Sequence, residues 1–383
     1  MADATPLRLG VAGIGRAFSV MLPTFTQHPL VNLVAAADTR ADARKRFTDE
    51  FSAKAYDTVA ALCADPAVDA VYVATPHQFH CEHAMLAAKA GKHLLIEKPM
   101  ALTLKDCTAI VETVRNSKVK AVIGHSHSFD APVRHLRKLI ESGAFGPVRM
   151  INALNYTDYL YRPRRPEELD TSKGGGAVFN QAAHQVDIAR LIAGAPVRSV
   201  RAMTGAWDSK RPTEGAYATL LAFTNDAFAS LAYNGYGHFD SDEFNGWVGE
   251  LGQTKTPYAG ESRVVFKAQD EETAYKNAHN YGGADFRVPG EAAAHQQFGA
   301  LLVSCERADL RPVPNGVMVY QNGTARLDAI PSPGVPRAEV IDELYDAIAH
   351  GTAPLHDATW GMATVEVLLA MLRSARDDAE VRL

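Results

Sequence analysis

Over its first 127 residues the chain alternates short apolar runs with helical patterns, and few folds accept that rhythm. The runs are LRLGVAG from Leu7, VNLVAAAD from Val31, DAVYVATP from Asp69, HLLIEKP from His93 and VKAVIGHSHSF from Val119. Between them lie AFSVMLPTFTQHP, a helix expected to break near Pro23, and ADARKRFTDEF. HCEHAMLAAKAGK follows, with Cys81, Ala84, Met85 and Ala88 at helical spacing and Gly91 as terminator. Thr103, with Asp106 three residues on, resembles a capping box for a helix through Val114. Strands that alternate with helices pair in parallel, so this part predicts βαβ units around a parallel sheet.

After about residue 128 the pattern changes. A helix from Asp130 ends at Gly143, and four strand-like runs follow almost in series: VRMINALNYT, VRSVRAMTGAW, YATLLAFTN and AFASLAYNGYG. Such a series predicts a largely antiparallel sheet, here interrupted by one long helix, AVFNQAAHQVDIARLIAG. Residues 237 to about 290 are polar and glycine-rich and suggest no clear elements. Two helices, PRAEVIDELYDAIAHG and WGMATVEVLLAMLRSARDDAE, close the chain. The expected division is a domain over 1–127 and a second over 128–383, which suits a length of 383 residues.

Net charge of -5 gives no general attraction to nucleic acid. No apolar run is long enough to span a bilayer, and the first residues lack a signal-peptide pattern. Cys63, Cys81, Cys107 and Cys305 are scattered, without metal-ligand spacing. The expectation is a cytoplasmic protein with reduced thiols and no metal.

GVAGIGRAF follows the first strand. Gly13 allows a tight turn and Gly15 a close approach of backbone to a pyrophosphate, while the next helix, from Arg16, offers its N–H groups. Phe18 stands where a third glycine would be. Asp38 ends the second strand, where an acid accepts bonds from the ribose hydroxyls and repels a 2′-phosphate. The expected cofactor is therefore NAD, with NADP admitted by Arg40; the other reading of Asp38 is a helix N-cap. Glu97-Lys98-Pro99 ends an apolar strand with a charged pair on stiff backbone, at the strand end where α/β folds keep their chemistry. Asn180, His184 and Asp187 lie four and three apart, within roughly 60° on a regular helix, just after Gly174-Gly175-Gly176. Those glycines either pass close to a nicotinamide or form a loose loop.

These motifs together resemble the Gfo/Idh/MocA oxidoreductase family. The resemblance implies an N-terminal Rossmann domain and a C-terminal domain with an open-faced, mostly antiparallel sheet. It implies cofactor contacts at Thr75, Pro76, His80, Glu97 and Lys98, with His77 where the family has Asn, and Asn180 where it often has Asp. It also implies that Lys98 and His184 face substrate and nicotinamide. Hydride removal from an alcohol needs a proton acceptor. His184 is favoured as base and Lys98 as holder of the oxygen, although the reverse stays open. A homodimer or homotetramer, formed through the second sheet, is expected.

Two stretches bear on substrate. NYTDYLYRPRRPEELD sets Tyr156, Tyr159 and Tyr161 beside Arg162, Arg164 and Arg165, which suits a planar anion. The plainer reading pairs those arginines with Glu167, Glu168 and Asp170. His125 and His127 are expected on one side of a strand, facing substrate. With residues 304–323, these stretches resemble the 4,5-dihydroxyphthalate (cis-dihydrodiol) dehydrogenase branch, implying a small cyclic diol, anionic where it carries a carboxylate. The competing expectations are a sugar or inositol dehydrogenase and a non-catalytic NAD-binding regulator.

Overall fold

The computed structural model describes residues 5–258 and 268–383. They form two compact units. In the first, β1 (Leu7–Ala12), α1 (Arg16–Gln27), β2 (Val31–Ala37), α2 (Ala41–Phe51), β3 (Lys54–Tyr56) and α3 (Val59–Ala64) lead to β4 (Ala70–Val73). Then come α4 (His80–Lys89), β5 (His93–Ile96), α5 (Leu104–Ser117) and β6 (Ala121–Ile123). The strands are all parallel, in the order β3-β2-β1-β4-β5-β6. From Leu9 on, central β1 is apolar without alternation because helices cover both faces: Leu9, Val11 and Ala12 have no exposed surface. Strand order reverses between β1 and β4, and the carboxyl ends there frame the crevice in which such sheets bind ligands.

Three local expectations are corrected. Helix α1 runs through Pro23 rather than breaking. A proline costs a helix interior ~3 kcal/mol, but Phe18, Met21, Leu22 and Phe25 are all buried from this helix, each worth about 1.5–3 kcal/mol. Strand β6 stops at Ile123, and residues 124–130 turn instead, with Phe129 N–H donating to the Ser126 carbonyl. His125 and His127 are therefore not neighbours along a strand. The helix carrying His184 begins with a π-helical turn, Val178–Ala182, so the regular spacing assumed for Asn180 does not apply.

The second unit holds α6 (Ala131–Glu141), β7 (Val148–Tyr156), α7 (Ala183–Ala193), β8 (Val197–Gly205), β9 (Ala216–Phe223) and β10 (Phe228–Asn234). It continues with β11 (Ala300–Cys305), β12 (Asp309–Val313), β13 (Gly316–Gln321), β14 (Thr324–Ala329) and β15 (Val381–Arg382). The nine strands run β14-β13-β12-β11-β7-β10-β9-β8-β15, antiparallel except for β7 against β10. Register makes one face a continuous core row: Val200, Leu221, Ala229, Ile151, Val303, Leu310 and Val319 are each at most 2% exposed. Helices α6 and α7 pack on this side. One residue along, the other face presents Leu220, Leu302 and Leu327 to solvent, with Met203 and Phe228 on neighbouring rows. The open-faced sheet is thus present.

The units are not contiguous in sequence. Residues 268–289 and 335–365, containing α8 (Gln269–His279), α9 (Ala338–Ala349) and the start of α10 (Ala358–Asp377), belong with the first unit rather than with the second. They are held by long-range contacts. Tyr281 packs edge-on against Phe18, Thr24 donates to the Pro336 carbonyl at 2.7 Å, and Arg337 donates to the Val20 carbonyl at 2.6 Å. No described helix is long and apolar enough to cross a membrane.

Candidate active site

The nucleotide half is built on β1 and β2. Gly13 has φ +90, and a Cβ there would lie 2.8 Å from the Ala74 carbonyl, so only glycine lets β1 turn beside the end of β4. A Cβ at Gly15 would meet nothing within 4 Å, which leaves room for a ligand at the start of α1, where Arg16 is exposed. Asp38 is not a helix cap. Its Oδ2 accepts from Ile14 N–H at 3.0 Å and its Oδ1 from Arg40 N–H at 2.8 Å, so it closes the glycine turn. A glycine cradle, an open helix start and a strand-end carboxylate fit a dinucleotide.

Beside this turn stand the ends of β4 and β5. His80 has no exposed surface. Its Nδ1 lies 2.9 Å from the Pro99 carbonyl and its Nε2 2.8 Å from the Thr75 carbonyl, so it ties the two strand ends together. Burial pushes its pKa down to about 4, against the pull of the two carbonyls. Thr75 Oγ1 is 3.0 Å from His83 Nδ1, and Pro76 caps a short turn that carries His77. The Lys98–Pro99 bond is cis. The Glu97 carboxyl accepts from the buried Tyr72 hydroxyl at 2.5 Å. Burial raises its pKa, opposed by Lys98, Tyr72 and the backbone N–H of His125.

In the second unit, His184 and His127 meet edge to face with ring centroids 4.8 Å apart, and Phe298 packs against both. His127 Nδ1 is 2.6 Å from Asp130 Oδ2, and its Nε2 lies 3.5 Å from Glu250 Oε1. Burial lowers its pKa, but the Asp130 and Glu250 carboxylates more than reverse this and raise it to about 9. His127 is therefore an imidazolium at neutral pH. Asp187 accepts from Ser128 Oγ at 2.5 Å, pinning α7 to the turn that carries His127. Asn180 donates to the carbonyls of Gly174 and Gly176 and so shapes the preceding loop. The three glycines are packed, not loose. A Cβ on Gly175 would lie 2.6 Å from the Glu168 carbonyl, and one on Gly176 2.1 Å from Glu214 Oε1.

The arginine stretch divides. Arg164 lies over the Tyr159 ring at 3.8 Å and donates to the Tyr159 carbonyl. Arg165 pairs with Glu167 and Glu168 at 3.1 and 3.4 Å. Both guanidinia are engaged within the loop. Arg162 differs: it is part-exposed, it pairs with Asp158 at 2.9 Å, and Glu250 also helps hold its charge. Tyr156 ends β7 in ring contact with Phe239. Sequence reasoning missed Asp130, Glu250, Phe298 and Tyr72. Only Asp130 gave a local signal, three residues after His127. Among the described residues, no cluster of three or more His, Cys, Asp or Glu is placed to hold a metal ion.

Comparison with known proteins adds to this geometry. A model of the Gfo/Idh/MocA oxidoreductase family, NAD-binding Rossmann fold, matches residues 7–125, and one of the Gfo/Idh/MocA C-terminal domain matches 133–248. The 1-carboxy-3-chloro-3,4-dihydroxycyclohexa-1,5-diene dehydrogenase of Comamonas testosteroni is 44% identical over 97% of this chain and 96% of its own. Myo-inositol 2-dehydrogenase of Thermotoga maritima is 30% identical over 51% of this chain and 57% of its own. A solved structure from Bordetella bronchiseptica RB50 has a TM-score of 0.93 at 42% identity, covering 99% of this chain and 100% of that one. Levoglucosan dehydrogenase, in complex with NADH and levoglucosan, shares the fold with a TM-score of 0.75 at 17% identity, covering 99% of each chain.

Proposed function

The chain belongs to the Gfo/Idh/MocA oxidoreductase family, and as an NAD-dependent dehydrogenase of that family we propose that it oxidises a carboxylated cyclic cis-dihydrodiol. The observation that carries the reading is the cluster in the second unit: His184 in ring contact with a cationic His127, and Glu250 facing both His127 and Arg162. A neutral polyol has no use for such cations, whereas a ring carboxylate has the chemistry to take the partners that Glu250 takes. Near full-length similarity to a dehydrogenase of a carboxylated dihydroxycyclohexadiene supports the same class.

When bound, NAD would supply the hydride acceptor. Gly13, Gly15 and the start of α1 would hold its pyrophosphate, and Asp38 the adenosine ribose. Glu97 and its partner Tyr72 position the strand end that bears Lys98. Lys98 holds the reacting oxygen as a charged donor and stabilises developing alkoxide. His184 takes the hydroxyl proton. The ketone so formed tautomerises to a catechol, and regained aromaticity draws the reaction forward. A sugar or inositol dehydrogenase is the second reading, favoured by the inositol-dehydrogenase relative. The presence of both Lys98 and His184 argues against a non-catalytic regulator.

The test is a substrate panel. Carboxylated cis-dihydrodiols, their uncharged counterparts, inositols and aldoses are offered with NAD, following absorbance of the reduced cofactor. The carboxylated diol should give the highest kcat/KM, and preference for an inositol or aldose would refute the substrate class. Arg162→Ala should raise KM for the carboxylated diol about ten- to a hundredfold, the loss of a charge-assisted hydrogen bond, and should matter little for the uncharged one.

A further inference from the structure

Arg40 follows the strand-end Asp38 by two residues, where a cation would ordinarily receive a 2′-phosphate. Its guanidinium is used otherwise. Nε donates to Asp38 Oδ1 at 3.2 Å, Nη1 to the Tyr281 carbonyl at 3.0 Å, and Nη2 to the Ile14 carbonyl at 2.9 Å and to Asp38 Oδ2 at 3.4 Å. A guanidinium has five N–H donors. These contacts occupy four of them, whereas a forked grip on phosphate needs two to spare.

The decisive acceptor, the Tyr281 carbonyl, comes from a segment more than two hundred residues away, and that segment is fixed on every side. Tyr281 N–H donates to Ser19 Oγ at 3.2 Å and its hydroxyl to Glu50 Oε2 at 2.9 Å. Its ring stands edge-on to Phe18 at 5.0 Å, with the Arg46 guanidinium 5.1 Å from its centroid. The next residue, Gly282, has φ +85, and a Cβ there would lie 2.4 Å from Ala43 Cα, at the start of α2. Only glycine lets the chain pass so close, and the turn made there aims the Tyr281 carbonyl at Arg40.

We propose that Tyr281–Gly282 is a cofactor-specificity element: by holding Arg40 on the glycine turn it denies that cation to a 2′-phosphate and makes the site selective for a dinucleotide with a free 2′-hydroxyl. Asp38 alone would repel the phosphate, but a mobile Arg40 could offset that repulsion. The latch prevents the offset. This concerns the nucleotide half alone and holds whichever alcohol is oxidised.

The experiment measures Kd for NAD and NADP by calorimetry on the full chain, without substrate. Three backgrounds are compared: wild type, Gly282→Ala and Tyr281→Ala, each with and without Arg40→Ala, with folding checked by circular dichroism. Wild type should prefer NAD, and Arg40→Ala alone should not weaken NADP. Each folded latch variant should narrow the NAD preference about tenfold through tighter NADP binding, and adding Arg40→Ala should remove that gain. A tenfold weakening of NADP by Arg40→Ala in wild type would overturn the proposal, since Arg40 would then already serve the phosphate. So would an unchanged preference in a folded latch variant, or a gain that survives without Arg40. The Arg40→Ala comparison decides the matter even if neither latch variant folds.

Discussion

Replacing Asp130 with asparagine should abolish most of the pH dependence of stability between pH 6.5 and 9. His127 is 2% exposed and Asp130 is buried beside it at 2.6 Å, so solvent screens the pair little. The folded protein raises the His127 pKa from 6.5 to about 9. At ~1.4 kcal/mol per pKa unit, that is about 3 kcal/mol of stability linked to this one proton. Because the folded value is the higher, the contribution is complete below pH 6.5 and is lost as pH rises through 9. Glu250, being part-exposed, supplies the smaller share. Unfolding free energies from urea melts run between pH 6 and 9.5 should fall by about 3 kcal/mol in the wild type across this window. In Asp130→Asn the window should be nearly flat, with Glu250→Gln between the two. The ring C–H resonance of His127, followed by NMR, should titrate near 9 in the wild type and well below that in Asp130→Asn. Parallel stability curves for the two proteins would show that Asp130 does not hold the charge.

Other outcomes follow from the same geometry. Lys98→Ala and His184→Ala should each cut turnover roughly a hundredfold or more, with NAD binding intact in the His184 variant; near-normal turnover in both would remove the assignment. Arg164→Ala and Arg165→Ala should lower melting temperature without a selective rise in KM for a carboxylated substrate, since both guanidinia serve the loop. The open sheet face, with Leu220, Phe228, Leu302 and Leu327 exposed, should be covered by a second copy of the chain. Light scattering at micromolar concentration should give a dimer or tetramer mass that Leu220→Asp reduces, and a monomer for the wild type would contradict this.

What the residues determined alone is whatever depends on near neighbours. Hydrophobic period separated the parallel sheet from the antiparallel one. Gly13 announced its turn, Thr103 its cap on Asp106 at 3.1 Å, and Gly91 the end of α4. The strand-end charges at Asp38 and Glu97 pointed to the carboxyl edge of the sheet, where such folds bind ligands. Short elements fared worse: β3 and α3 are too brief to show a period, and β11 to β14 draw their register from one another. Tertiary structure decided every role that hangs on a distant partner. The glycines at 175 and 176 are dictated by Glu168 and Glu214, and the charge of His127 depends partly on Glu250, 123 residues on. Arg164 and Arg165 carry the same charge as Arg162, and only packing turned them towards the loop. A side chain's chemistry can be read in sequence, but its protonation and its partners are properties of the field around it, and that field is assembled only when the chain folds.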